Sequence, residues 1–260
     1  MTDTTHTGSI RLAHISRYPV KGLDEQSLSE TTLGIGQALP GDRRFAIAHG
    51  SSAYDPAQPG WQKKAHFLNW ARTPAIAAIR ARYAEGGDVV SLSENGAELL
   101  RDADLTTEPG RAALCDVLLK RLPQEARGKL VVAEAPGVSF SDVEPKFLSI
   151  QNRASLDAIG SHAGTAFDQR RMRGNLLLDG LSPWVEMDWI GKRLRVGGAE
   201  LEMVEIIGRC PATTLDPLNG ARNLPTLDIL NREYGHQDCG LYAKVVQGGT
   251  IRVGDSVTLR

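Results

Sequence analysis

Cysteine is scarce in this sequence, with Cys115, Cys210 and Cys239 the three among 260 residues. So small and odd a number argues against a disulfide framework and suits a reducing compartment. No pair stands as Cys-x-x-Cys, which disfavours a structural zinc site. An excess of one charge is lacking too. The 30 Lys and Arg oppose 31 Asp and Glu, for a formal net charge of -1. A surface built for nucleic acid or anionic lipid needs a clear basic excess. No run approaches the roughly 18 to 20 continuous apolar residues of a spanning helix. The stretch from Met1 to Ser9 is polar, without the apolar core of a signal peptide. It is expected to be a disordered tip, and the chain to be cytoplasmic, with neither membrane nor nucleic acid among its partners. Neither GxGxxG nor GxxxxGK[ST] occurs, and the six histidines show no HExxH spacing. Dinucleotide, P-loop and zinc-hydrolase readings are weakened accordingly.

What is present is a succession of short apolar segments. Strands are expected at 10–20, 44–48, 129–133, 147–150, 176–178, 193–196, 200–207, 241–246, 250–253 and 256–259. Segments 76–83 and 89–92 read as a hairpin turning at Glu85-Gly86-Gly87-Asp88. Helices are expected at 66–71, 110–120, 153–162 and 225–234, where apolar residues recur at helical spacing or Pro225 suits a first turn. Cys115 falls on the apolar face of the second and is expected in the core. Many short strands, glycine-rich turns and no βαβ alternation predict a mainly β fold with interspersed helices (α+β), built as β-barrel-like domains. Residues 136–145 read as a linker, giving units at 10–135 and 146–260.

The segment Ile207-Gly208-Arg209-Cys210-Pro211-Ala212-Thr213-Thr214-Leu215-Asp216-Pro217 follows an expected strand. A cysteine at a strand end beside an arginine has its thiolate favoured, and a soft thiolate suits a heavy metal centre. Composition alone favours the plainer reading, an inert buried thiol.

The same string resembles the cysteine loop of the MOSC domain family: Arg-Cys, two variable residues, Thr-Thr, a hydrophobic residue and Asp-Pro. Cys239-Gly240-Leu241-Tyr242-Ala243 and the run from Gly249 to Asp255 resemble the family's closing hairpin, with Cys239 where an aromatic is common. Ile15-Ser16-Arg17-Tyr18-Pro19-Val20-Lys21-Gly22-Leu23 and Gly41-Asp42-Arg43-Arg44-Phe45 resemble two motifs of the β-barrel domain that often precedes MOSC. Gly22 stands where Ser is common. The resemblance covers about residues 10 to 260 and implies a MOSC β-barrel domain packed against an N-terminal β-barrel-like domain.

It also implies a molybdenum cofactor (Mo-molybdopterin) held between the halves, with Cys210 as the metal ligand. Lys21, with Gly22 in the same motif, and Arg44 would contact its phosphate and pterin parts. Arg173 and Asn175, in Met172-Arg173-Gly174-Asn175-Leu176, would form a third contact, with Arg209 beside the ligand and Asn152 approaching the cofactor. Phosphate suits Arg forks and a Lys point charge, and a pterin edge suits an amide. Asp142, in Phe140-Ser141-Asp142-Val143, would accept a proton or orient a substrate. Each residue also has a plain reading as a solvated charge or a turn residue.

The activity implied is that of the amidoxime-reducing relatives, reduction of small N-hydroxylated substrates. The chain has no recognisable electron-transfer module, so an external donor is expected: a ferredoxin, a flavin reductase or a cytochrome b5-like protein. The alternative is a cofactor carrier or sulfur-transfer protein acting through a persulfide at Cys210. The full sulfurase's pyridoxal phosphate domain has no room here, so pyridoxal phosphate binding is not expected.

Overall fold

A computed structural model describes residues 9–260; the expectation for the first eight residues lies outside the described residues. The chain opens with β1 (Arg11–Arg17), β2 (Gln26–Leu28), β3 (Glu30–Leu33) and β4 (Phe45–Ala48). Next come β5 (Arg80–Tyr83), β6 (Val89–Glu94) and β7 (Ala97–Asp104), then α1 (Glu108–Arg121), α2 (Pro123–Ala126) and β8 (Val131–Glu134). Beyond these lie β9 (Leu148–Asn152), α3 (Arg153–Ala163), β10 (Leu176–Asp179), β11 (Arg193–Val196) and β12 (Ala199–Gly208). The chain finishes with α4 (Thr226–Tyr234), β13 (Asp238–Gln247), β14 (Gly249–Arg252) and β15 (Val257–Leu259). The fold is mainly β with interspersed helices, as expected from the short strands and glycine-rich turns.

The largest sheet has eight strands in the order β15-β11-β12-β13-β9-β10-β1-β2. Its two ends come from opposite ends of the sequence. β1 lies antiparallel to β10, with Ile15 opposite Leu176, and β3 pairs with β14. β1 and β2 are therefore built into the sheet of the second half, and β3 into a two-stranded sheet with β14. β9 and β10 are parallel, which requires a crossover, and α3 supplies it. One core, with Leu12, Ile15, Ile150, Leu201 and Leu241, belongs to this sheet. A second, with Phe45, Ile47, Leu68, Leu114 and Leu118, lies among β4, the β5-β6-β7 sheet and α1. Each such fully buried side chain contributes about 1.5–3 kcal/mol relative to leaving it exposed. Cys115 packs against this second core, and burial pushes its thiol up to about 11.

Two local expectations give way to tertiary structure. Residues 66–71 are not a helix: a 3-10 turn at Lys64–His66 leads into extended chain, and Leu68 N–H donates to Ile47 carbonyl at 2.8 Å. Phe67 and Leu68 enter two different cores, which the alternating faces of a strand permit. The expected strand at 76–83 begins only at Arg80, because Pro74–Ala78 forms a 3-10 turn with proline in its first turn. β7 escaped notice because its sequence, AELLRDAD, is largely polar and its face largely exposed. No helix among the described residues is long and apolar enough to cross a membrane.

Candidate functional site

β12 ends at Gly208 and delivers Arg209 and Cys210 to the wall of a cleft of about 350 Å³. Register shifts in the β12–β13 ladder, one between Ile206 and Gly208, re-aim the strand as it leaves the sheet. Cys210 is extended, at φ -123° and ψ 170°, and precedes a 3-10 turn at Pro211–Thr214. Its carbonyl accepts from the Thr213 amide at 3.1 Å and the Thr213 hydroxyl at 3.0 Å. Arg209 braces the turn from the other side. Its Nε donates to the Cys239 carbonyl at 2.7 Å and its Nη1 to the Met172 carbonyl at 3.1 Å. The thiol is thus half-buried on a backbone fixed at three points.

Opposite Cys210 stand residues of the first half. The Lys21 amide donates to the Phe45 carbonyl at 2.8 Å, which ties its backbone to β4. Its Nζ donates to the Phe140 carbonyl at 2.8 Å and to Asp142 Oδ1 at 2.6 Å. Lys64 Nζ donates to Asp142 Oδ2 at 2.8 Å. Burial pushes the Lys21 ammonium down, and Asp142 opposes the shift. Burial also opposes the charge on Asp142, but the two lysines prevail and hold its carboxyl well below the usual range. A carboxylate held so low is a poor proton acceptor at neutral pH. Asp142 is an anchor for two ammonium groups, which replaces the expectation that it takes a proton.

A prediction follows from the sign of that shift. A carboxyl whose folded pKa is depressed contributes stability above its unfolded value, about 3.9, and loses it as the pH falls through the folded value. The thermal midpoint of Asp142→Asn is expected to lie below wild type by a constant interval at neutral pH. The interval should narrow only below the ordinary carboxylate range; narrowing already near pH 6 would contradict the double ion pair.

Arg43 and Arg173 both have left-handed backbones, at φ 47° and 53°. Each guanidinium carbon lies 4.4 Å from the centroid of the buried Tyr18 ring, and that of Arg173 also lies 4.8 Å from the Trp70 ring. Arg43 pairs with Asp42 and donates from Nη2 to the Arg173 carbonyl at 2.7 Å. Non-glycine residues in this region are costly and concentrate where function over-determines the geometry.

Of the sequence-derived site residues, Lys21, Gly22, Asp142, Arg173, Asn175, Arg209 and Cys210 line this one cleft. Arg44 and Asn152 do not. Arg44 pairs with Asp88 and Glu134, each at 2.7 Å, in a separate depression shared with Arg111. Arg43, in the left-handed turn that precedes β4, faces the cleft where Arg44 was expected. Asn152 is fully buried beneath α3. Its Nδ2 donates to Ser182 carbonyl and Glu186 Oε2, both at 2.7 Å, and its Oδ1 accepts from Ala154 N–H as the helix cap. Asn175 lines the cleft, yet its amide joins strands: Oδ1 accepts from Ser149 and Nδ2 donates to the Ser16 carbonyl. Gly22 sits at φ 89°, and a Cβ there would come 2.8 Å from the Leu68 carbonyl oxygen, so the serine common in relatives does not fit. Sequence reasoning missed Arg43, Lys64, Trp70, Arg171 and Tyr242 as site residues; Arg43 and Tyr242 stand inside the quoted motifs and the other three outside them.

The donor set fits an anionic, metal-bearing organic ligand. Lys21, Arg43, Lys64, Arg171, Arg173 and Arg209 line the cleft against Asp42, Asp142 and Glu205. Arg171 Nε and Arg209 Nη2 are buried without a hydrogen-bond partner. Among the described residues no three His, Cys, Asp or Glu gather to hold an ion. A metal on Cys210 would therefore have to bring its other ligands with it.

Residues 9–129 match the MOSC N-terminal beta barrel domain and residues 138–258 the MOSC domain. The chain is 33% identical over 134 residues to mitochondrial amidoxime-reducing component 1 of Homo sapiens, covering 47% of this chain and 39% of that protein. It is 24% identical over 159 residues to molybdenum cofactor sulfurase 2 of Culex quinquefasciatus, covering 61% of this chain and 19% of that protein. The chain thus spans less than half the length of either relative. The solved structure of the YUAD protein from Bacillus subtilis superposes with a TM-score of 0.48 at 12% identity, over 96% of this chain and 95% of that one. Two adjacent family matches that together take in both walls of the cleft make this chain a MOSC domain protein with a MOSC N-terminal β-barrel domain.

Proposed function

We propose that the cleft holds a molybdenum cofactor with the Cys210 thiolate as its protein ligand, and that the chain reduces N-hydroxylated small molecules of the amidoxime type in the cytoplasm. The observation that carries this reading is a single half-buried thiol in a cation-rich cleft built from both halves of the chain. The name of the human relative points to the same reaction. When bound, such a cofactor supplies a metal that changes oxidation state and exchanges an oxygen atom with a substrate. The overall change breaks the N–O bond of an amidoxime and consumes two electrons and two protons, giving an amidine and water. The electrons come from an external donor of ferredoxin, flavin reductase or cytochrome b5-like type.

The chain's own residues bind and orient. Arg43 and Arg173, clamped about Tyr18, present cationic groups to the anionic end of the cofactor, with Lys21 as a point charge. Arg209 holds the Cys210 loop through two backbone carbonyls and adds positive charge beside the sulfur. Lys64 keeps its proton: burial works against the ammonium, but Asp142 outweighs it and pushes the pKa up.

Metal analysis of protein from a cofactor-competent host is expected to find molybdenum. Reduced benzyl viologen with benzamidoxime is expected to give benzamidine. Molybdenum without turnover, together with transfer of cofactor or sulfur to an apo-enzyme, would select the second reading, a carrier or sulfur-transfer protein. That reading is favoured by the similarity to a cofactor sulfurase and by the accessibility of Cys210.

The exchange of roles between neighbouring arginines is separately testable. Arg43→Lys removes a fork but keeps the charge, and is expected to lower molybdenum retention after gel filtration about tenfold. Arg44→Lys, outside the cleft, should retain wild-type metal. The reverse pattern would restore Arg44 to the site.

A further inference from the structure

The carboxylates of the cleft are not alike. Asp42 is paired with Arg43, and Asp142 with Lys21 and Lys64. The side chain of Glu205 has no hydrogen-bond or ion-pair partner among the described residues, although it lines the same cavity and is exposed. On β12 it lies directly across from Tyr242 of β13, which in turn lies across from Ser149 of β9. Direct cross-strand partners share a face of the sheet, with Cβ atoms about 4.5–5.5 Å apart. The Tyr242 ring meets Phe147 at a centroid distance of 5.9 Å and an interplanar angle of 38°. The hydroxyl of Tyr242 also has no partner among the described residues. A free carboxylate, a free phenol and two tilted aromatic rings thus form one wall of a cleft whose other walls are cationic.

We propose that Glu205, Tyr242 and Phe147 form the substrate-recognition wall, and that it selects planar aryl-amidine frameworks, accepting the N–H and O–H donors of a neutral amidoxime and binding the protonated amidine product more tightly. A carboxylate accepts two parallel N–H donors from an amidinium, as it does from arginine. An aromatic face attracts a delocalised cation and packs against an aryl ring. The rest of the cleft repels such a cation, so this wall sets both where it sits and how it is turned. The inference deepens the reductase reading and rests on it for the chemistry at Cys210. An amidine is also the product of amidoxime reduction, so the same wall binds the product.

The test uses binding as well as turnover, on the full chain as purified. Calorimetric titration with benzamidine is expected to show binding at least about tenfold tighter than that of neutral benzamide. Glu205→Gln, a change at an exposed position, should weaken benzamidine about fivefold and leave benzamide unchanged. Tyr242→Leu should weaken both. With viologen as donor, Glu205→Gln should weaken inhibition by the product benzamidine more than it raises KM for the uncharged benzamidoxime. Equal affinity of wild type and Glu205→Gln for benzamidine, or no preference over benzamide, overturns the inference whether or not benzamidoxime is reduced. A preserved preference that depends on Glu205, in a protein that does not turn over, leaves the wall standing and removes the reductase reading instead.

Discussion

Replacing Cys210 by serine is expected to strip molybdenum from the purified protein and to lower viologen-driven reduction at least ~100-fold, while leaving the thermal midpoint within about 1 °C of that of cofactor-free wild type. The change exchanges one atom. Cys210 is extended, and the hydrogen bonds that fix its loop run through its carbonyl, the Arg209 guanidinium and Thr213, all of which remain. What is lost is the soft anion. A serine hydroxyl stays protonated at neutral pH and is a hard, neutral donor, whereas a thiolate is a strong ligand for a heavy metal. No other thiol can take over. Cys239 is sealed behind Arg209, its thiol pushed up to about 12 by burial, and Cys115 lies in the core of the first half. Cys115→Ser is therefore the control, expected to keep its metal. Molybdenum retained at the wild-type level by Cys210→Ser would place the cofactor on some other group.

The difference between what the sequence disclosed and what it hid lies in range along the chain. Cys210, Arg209 and Thr213 are consecutive or nearly so, and the turn that presents them is closed by their own backbone. Such a site reads as a motif. The mainly β character was equally local, since short apolar runs ending at glycines leave little else to form. Lys64 stands in a segment with no motif, and nothing near it in sequence announces that it reaches Asp142; Tyr242 stands inside the closing-hairpin motif, but the motif does not say which of its side chains line the cleft. The choice between Arg43 and Arg44 turns on the left-handed backbone of Arg43 before β4, which no short-range pattern in the sequence marks. Asn152 was expected as a cofactor contact only because the family resemblance places a small polar residue near the cofactor there. The same position suits a helix cap, and α3 claims it. The segment 66–71 carries apolar spacing compatible with a helix, but Phe67 and Leu68 serve two cores at once, which a strand-like path satisfies and a helix does not.

Gly240→Ala is expected to destabilise the protein by about 3 kcal/mol and to lower the thermal midpoint on the order of 10 °C. Gly240 has φ 78°, and a Cβ added there would lie 2.5 Å from the Ile150 carbonyl oxygen and 3.0 Å from Arg209 Nη2. The first contact is with backbone, in the pairing of β13 with β9 where Leu241 lies opposite Ile150, so it cannot be relieved by turning a side chain. The left-handed backbone adds about 1–2 kcal/mol for any residue with a Cβ. Gly254→Ala separates the two contributions, because Gly254 has φ 95° and a Cβ there meets nothing within 4 Å. It should show the backbone cost alone. The steric part of the Gly240 effect falls on the metal loop as well: pushing Arg209 away weakens its hold on the Cys239 and Met172 carbonyls and lets the Cys210 turn drift. Gly240→Ala should thus lose molybdenum even at temperatures where circular dichroism shows it folded, whereas Gly254→Ala should keep it. Equal midpoints and equal metal in the two variants would mean that the close packing of β13 against β9 does not position the thiol.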